Sequence, residues 1–264
     1  MLIKGSKSKI YIKGRSSDDI PLFFIHGFTG SSDTWNSIRD LINKQSYAID
    51  IPGHNKSIFN NLKENYNIED FCVEFYLLLN SLNINKIDLC GYSMGGRLSL
   101  AFAYKYPDKI NSLILESTSF GIENFELKDE RLLKDLELCI KIKDDYDNFI
   151  VDWSENKIFK NQKLRNKNDW DSQNNIRSNH NKYQLAKSLE SFSVGRMNYL
   201  ENELNLFDFP VYLISGENDE KFFKISHKLM KLNSNVTHYR VNSCGHNTHL
   251  EDPKLFTDII NNIY

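Results

Sequence analysis

Ile87-Asp88-Leu89-Cys90-Gly91-Tyr92-Ser93-Met94-Gly95 decides the fold: an apolar run with the character of a buried strand, a serine flanked by glycines, then a helical segment running towards Tyr106. A serine at such a strand-to-helix turn is forced up out of the sheet. The glycines permit tight packing, and the helix N-terminus beneath favours developing negative charge. Alone, the string also describes a glycine-flanked turn whose serine caps a helix. The surrounding pattern separates the two readings.

Short apolar runs recur on either side, at Leu22 to Ile25, Tyr47 to Ile51, Leu113 to Leu115, Val211 to Ser215 and Val236 to Val241. Between them lie segments with helical spacing, clearest in Ile68, Phe71, Cys72, Phe75, Leu78, Leu79 and Leu82, with Asn67 placed to cap the start. Alternating strand and helix imply an α/β fold, a mostly parallel, doubly wound sheet covered by helices on both faces. From about Gly121 to Leu206 the pattern changes to lysine- and asparagine-rich helical stretches, such as Leu132 to Ile142 and Tyr183 to Leu189, without a convincing strand. We expect a core of residues 1–120 and 207–264, interrupted by a helical cap at 121–206 and closed by a helix at Leu255 to Ile263. No internal repeat is found. The biased stretch Asn156 to Asn181 carries Trp170 and Ile176, with Tyr183 just beyond, and reads as ordered helices and loops.

The 264 residues are 40% hydrophobic and 26% charged with 12 Gly and 5 Pro, which excludes disorder and collagen-like structure. Thirty-three basic against 35 acidic side chains leave a formal charge of −2, so no whole-molecule field draws nucleic acid or an anionic membrane, and any anion must be held locally. No apolar run approaches bilayer length, and the start, MLIKGSKSKIYIKGRSSDD, lacks the apolar centre of a secretory signal. A cytoplasmic protein is expected. Cys72, Cys90, Cys139 and Cys244 are widely spaced, suggesting neither a disulfide framework nor a zinc knuckle. Cys72 and Cys90 read as buried small hydrophobes. His246 and His249 have no third ligand nearby, and neither metal nor cofactor is expected.

Asp219 follows the run Val211 to Ser215, and His246 follows Val236 to Val241. Serine, acid and histidine thus come in the order this fold requires, each in a loop after a strand. Glu217 competes for the acid; Asp219 is preferred because a residue farther into the loop reaches across to His246. Arg97 lies one helical turn past Ser93, and Arg131 and Arg177 lie in the expected cap. A single arginine is normally just solvated. Three around a serine pocket in a near-neutral chain suggest a small-molecule poly-carboxylate held by bidentate pairs, with Trp153 and Tyr92 as the apolar wall.

The strings HGFTGSSDTW, DIPGHNKS, GYSMGGRLSLAFAYKYPDKI, SGENDEKF and GHNTHLEDP resemble the α/β-hydrolase superfamily over nearly the whole chain. GYSMGGR, Phe149-Ile150-Val151-Asp152-Trp153, Leu189-Glu190-Ser191-Phe192-Ser193, SGENDEKF and GHNTH are similar, within it, to the bacterial 2-succinyl-6-hydroxy-2,4-cyclohexadiene-1-carboxylate synthases of menaquinone biosynthesis. The superfamily resemblance implies an oxyanion hole built from the backbone N–H groups of Phe28, in His26-Gly27-Phe28-Thr29-Gly30, and of Met94, with His26 itself structural. The narrower one implies that Arg97, Arg131 and Arg177 bind substrate carboxylates, and that the reaction is elimination of pyruvate with Ser93, His246 and Asp219 as general base. Asn55-Lys56 departs from the family pattern, where Gly usually follows the histidine; that loop is expected to shape the site and not to react. Two alternatives stay open. The same parts would serve a serine hydrolase of an ester or carbon–carbon bond, and a non-catalytic ligand-binding relative would be the reading had a triad position been lost.

Overall fold

The structure, a computed structural model, describes residues 1–15 and 20–264. Residues 16–19, in the polar N-terminal stretch read above, lie outside the described residues. In chain order the elements begin β1 (Leu2–Lys4), β2 (Ser8–Gly14), β3 (Leu22–Ile25), α1 (Asn36–Arg39), β4 (Ser46–Ile49), β5 (Ile58–Phe59), α2 (Ile68–Ser81), β6 (Ile87–Tyr92), α3 (Met94–Lys105) and β7 (Ile110–Glu116). Five helices follow, α4 (Phe125–Asp144), α5 (Tyr146–Ser154), α6 (Lys160–Arg165), α7 (Lys167–Ser178) and α8 (Lys182–Ser191). The chain then returns to the sheet with β8 (Val211–Gly216), α9 (Glu220–Leu232), β9 (Val236–Val241), α10 (Thr248–Glu251) and α11 (Pro253–Ile263).

The sheet order is β1-β2-β4-β3-β6-β7-β8-β9, with β5 paired to β2 off this path. From β4 to β9 every pairing is parallel; β2 runs antiparallel to β1, β4 and β5. β3 shows why both faces are covered. Phe23 and Ile25 enter the larger apolar cluster with Phe71 and Phe75 of α2 and Phe102 of α3, while Leu22 and Phe24 enter the other with Trp35 and with Phe256 of α11. Asn67 caps α2 as expected: its side chain accepts from the Asp70 N–H at 3.0 Å, and Asp70 returns the bond to the Asn67 N–H at 3.1 Å.

The strands differ from the sequence reading in several places, among them the two-residue β5, which was not anticipated. β1 and β2 were not anticipated, because Ser8-Lys9-Ile10-Tyr11-Ile12-Lys13 buries only alternate residues and never forms an apolar run. The expected strand Tyr47 to Ile51 ends at Ile49, since the buried Asp50 carboxylate draws the chain out of the sheet by accepting from the Ser32 N–H at 2.6 Å and the Lys56 N–H at 3.1 Å. β7 extends beyond Leu113 to Leu115 at both ends, carrying the polar Ser112 and Glu116 into buried positions. Among the described residues no helix is long and apolar enough to cross a membrane.

Candidate active site

A parallel sheet sends the C-terminal ends of its strands to one edge, and three loops meet there. Ser93 sits where β6 passes into α3, with φ 51 and ψ −107, a conformation that only Gly adopts without strain. Its N–H donates to the Glu116 carbonyl at 2.9 Å, and its carbonyl accepts from the Arg97 N–H at 3.1 Å. The turn stays tight because a side chain at Gly95 would overlap the carbonyl oxygens of Ile25 and His26. The Ser93 side chain makes no capping hydrogen bond to α3. Instead its Oγ lies 3.3 Å from His246 Nε2, and His246 Nδ1 lies 2.6 Å from Asp219 Oδ2. A proton on Nδ1, shared with that carboxylate, leaves the Nε2 lone pair facing the hydroxyl. The nearly buried imidazole has the Tyr92 and Phe222 rings beside it, at 5.4 and 4.9 Å between centroids. The competing acid, Glu217, is occupied elsewhere, bonded to Arg240 and accepting from the Ser243 N–H at 2.9 Å.

Two carboxylates support the His246 loop from below. Glu116, fully buried at the end of β7, accepts from the Thr248 hydroxyl at 2.5 Å and the His249 N–H at 3.1 Å, and its Oε2 lies 2.6 Å from His249 Nδ1. The His249 ring also stacks on Trp35 at 4.2 Å. Glu251 accepts from the N–H groups on either side of His246, Gly245 at 2.6 Å and Asn247 at 3.4 Å, and burial pushes its carboxyl up to about 7.

Phe28 and Thr29 form the turn Gly27–Gly30, closed by the Gly30 N–H donating to the Gly27 carbonyl at 3.0 Å. Among the described residues neither the Phe28 nor the Met94 N–H is engaged within the protein, and both residues line the cavity onto which Ser93 opens. Three buried histidines grip this turn. His26 Nε2 accepts from the Ile51 N–H at 2.9 Å, leaving Nδ1–H to donate to the Gly27 carbonyl at 2.7 Å. His54 Nε2 accepts from the Thr29 N–H at 3.2 Å. His180 Nδ1 accepts from the Asn55 N–H at 3.0 Å, and its Nε2 lies 3.0 Å from the Thr29 carbonyl. Each ring is therefore one donor and one acceptor, a neutral imidazole. Burial lowers all three, His26 and His180 to about 4 and His54 well below the usual range. His26 was expected to be structural, and its bonds are of that kind. His54 and His180 were missed, because their partners lie 25 and 151 residues away in sequence.

The cavity measures about 500 Å³ and is lined by Ser93, His246 and Asp219 together with Arg97, Arg131 and Lys221. Arg97 is nearly buried, donates to the Phe192 carbonyl at 3.1 Å and keeps its Nε unpartnered. Burial and the nearby Arg131 bring it down to about 10, so it stays charged at neutral pH. Lys221 is a third cation, which the sequence reading passed over inside SGENDEKF; burial, with Arg131 and Arg97 nearby, lowers its pKa. Tyr92 and Trp153 form part of the wall, and Trp153 also donates from its indole to Thr29 Oγ1 at 3.0 Å. Arg177 does not line this cavity but lies behind its wall, the void it lines sharing Phe28, Tyr92 and Phe159 with the main cavity. That adjoining void is about the size of one water, and the Arg177 guanidinium lies 4.4 Å from the Phe159 ring and 5.2 Å from Trp170 and donates to Asn174 at 2.8 Å. α7 turns that face into an aromatic slot, which the spacing of a polar helix does not reveal.

Comparison with known proteins follows the same lines. The family described as alpha/beta hydrolase fold matches residues 20–253. A putative 2-succinyl-6-hydroxy-2,4-cyclohexadiene-1-carboxylate synthase of Bacillus subtilis is 32% identical over 241 residues, covering 89% of this chain and 87% of that protein. The synthase of that name from Klebsiella pneumoniae is 28% identical, covering 88% of each chain. Among solved structures, MenH from S. aureus superimposes with a TM-score of 0.87 at 28% identity, covering 97% of both chains. A thermophilic esterase from Thermogutta terrifontis, at 19% identity and a TM-score of 0.83, shares the fold.

Proposed function

The chain belongs to the α/β-hydrolase fold family and, within it, to the 2-succinyl-6-hydroxy-2,4-cyclohexadiene-1-carboxylate synthases, and from this we propose that it is a lyase of menaquinone biosynthesis. Its substrate is 2-succinyl-5-enolpyruvyl-6-hydroxy-3-cyclohexene-1-carboxylate, from which it eliminates pyruvate. One observation carries the reading. The chain from Asp219 through His246 to Ser93 opens onto the same cavity as Arg97 and Arg131, so a base and two carboxylate-binding groups face one space. The relatives' shared name supports the product.

In this reading Ser93 takes the acidic ring proton beside the succinyl carbonyl while its own proton passes to His246 Nε2 across 3.3 Å. The electron pair is held as an enolate, whose oxygen is met by the Phe28 and Met94 N–H groups; such donors are each worth roughly 10²- to 10³-fold in rate. The pair then moves through the adjacent ring double bond and expels the enolpyruvyl oxygen, which takes a proton from His246 and leaves as enolpyruvate, to become pyruvate. No acyl-enzyme forms. Arg97 and Arg131 hold the substrate carboxylates, and water exclusion falls to the helical segment 121–206, read as a cap because its Leu138, Trp153 and Leu189 line the cavity onto which Ser93 opens. The four unpaired, buried cysteines support a cytoplasmic setting.

The deciding experiment is pyruvate release from this substrate. Wild type releases pyruvate, and Ser93→Ala loses roughly 10³-fold or more in turnover with an unchanged circular dichroism spectrum. Normal turnover by Ser93→Ala would end the mechanism. A wild type that releases no pyruvate but hydrolyses p-nitrophenyl acetate with an acyl-enzyme burst would point to a serine hydrolase instead.

A further inference from the structure

Both cavity arginines are anchored on one corner of the chain, the bend after α8. The Phe192 carbonyl accepts from Arg97 at 3.1 Å. One residue on, the Ser193 hydroxyl donates to Asp135 Oδ2 at 2.6 Å, and Asp135 Oδ1 accepts from Arg131 Nε at 2.9 Å. Asp135 is 4% exposed, on α4 one turn beyond Arg131, whereas the Arg131 side chain is 42% exposed. The corner comes this close to α4 because Gly195 has no side chain; a Cβ there would lie 2.7 Å from the Lys128 carbonyl and 2.8 Å from Leu132.

A buried carboxylate is costly unless it is paired and hydrogen-bonded. One that lines a cavity for anions carries a further cost, because it repels the ligand. Its effect on Arg131 accounts for its presence. A bond to Nε fixes the plane of the guanidinium and leaves the two terminal nitrogens free, the edge suited to a two-point grip on a carboxylate. Resting on the function proposed above, we propose that Asp135, braced by Ser193, is a positioning residue that presents Arg131 to a substrate carboxylate and so contributes to selection of poly-carboxylate substrates.

The test is steady-state pyruvate release by Asp135→Ala, Asp135→Asn, Arg131→Ala and the double variant Asp135→Ala/Arg131→Ala. Asp135→Ala raises KM by roughly 10-fold with kcat within about threefold, as expected for a lost binding contact. Asp135→Asn, whose amide oxygen can still accept from Nε, returns KM to within about threefold of wild type. In the Arg131→Ala background, loss of Asp135 adds nothing, because both changes remove the same contact. A KM for Asp135→Ala within about twofold of wild type, an Asp135→Asn no better than Asp135→Ala, or full additivity with Arg131→Ala overturns the proposal. If Asp135→Ala does not fold, Ser193→Ala serves: KM rises about threefold with Arg131 present and not without it, and no rise overturns the proposal. Should wild type release no pyruvate, the lyase reading fails separately; calorimetric binding of tricarballylate to the same variants then tests the positioning role, with the same ordering expected and equal affinities overturning it.

Discussion

Thr29 shows how much of the site rests on single side chains remote in sequence. It holds φ 63, its N–H is taken by His54, its carbonyl faces His180, and its hydroxyl receives the Trp153 indole. The adjoining Phe28 N–H is left to face the cavity. His54→Ala leaves the buried Thr29 N–H without an acceptor, a penalty of about 1–3 kcal/mol that the turn relieves by shifting. The expected outcome is a kcat lower by roughly 10-fold with KM little changed, and substantial recovery in His54→Gln, whose side-chain oxygen can accept the same bond. A wild-type kcat in His54→Ala, measured as pyruvate release, would detach this histidine from the reaction. Ser93, Asp219 and His246 were legible in the sequence because each closes a recognisable strand and the three follow a fixed order. His54, Asp135 and Glu251 were not. No local pattern encodes the bond between Thr29 and His54 or that between Ser193 and Asp135, 58 residues apart. Although Glu251 bonds to nearby Gly245 and Asn247 and Asp135 to Arg131 one turn away, such spacings do not show that these carboxylates are buried.

Among the elements, α3 fixes the site by how closely it approaches the strand beside it. Gly95 lies against the carbonyls of Ile25 and His26, backbone atoms that move only if the Gly27–Gly30 turn moves with them. Gly95→Ala therefore separates α3 from β3, displacing Met94 from Phe28. Overpacking of this kind costs about 1–3 kcal/mol. Thermal unfolding should fall by several degrees, and pyruvate release should fall by more than the stability loss explains, since the protein remains folded at the assay temperature. An active Gly95→Ala with an unchanged melting temperature would show that the close approach is dispensable. The central strands were readable from sequence because burial on both faces leaves continuous apolar runs, as in Leu22–Ile25. β2 was not, because its lysines alternate with its isoleucines. Helices in the segment between β7 and β8 were readable as helices, but the direction each face points was not. Polar α7 carries too few apolar residues to show which face is buried, so the sequence does not reveal that Arg177 packs with Trp170 behind the cavity wall and not along it.

For the whole molecule, the buried titratable groups set how stability depends on pH. His26, His54 and His180 are neutral in the fold, with pKa values below the ordinary 6.5, so as pH falls below 6.5 the unfolded chain takes up protons that the native chain refuses. Their stabilisation is full above 6.5 and is lost progressively towards pH 4, at up to about 1.4 kcal/mol per pH unit for each ring. Glu251 acts in the opposite direction. Its carboxyl is raised from 4.5 to about 7, so between those values the native chain holds a proton that the unfolded chain has released, and stability falls as pH rises. A fourth ring, the partly buried His238 beside the Ser215 hydroxyl, is likewise lowered to about 4 by burial. Four rings outweigh one carboxyl, so the net slope between about pH 5 and 6.5 is positive. Chemical denaturation should show a loss on the order of 3–5 kcal/mol between pH 6.5 and pH 5, the exposed share of His238 screening part of its contribution. Glu251→Gln removes the opposing group and should steepen that loss, whatever constant penalty comes from weakening the bonds to Gly245 and Asn247. A flat profile in wild type would mean that the histidines behind the Phe28 turn accept protons within the fold. An unchanged slope in Glu251→Gln would mean that Glu251 is ionised throughout, and that the loop carrying His246 rests on a carboxylate even in acid.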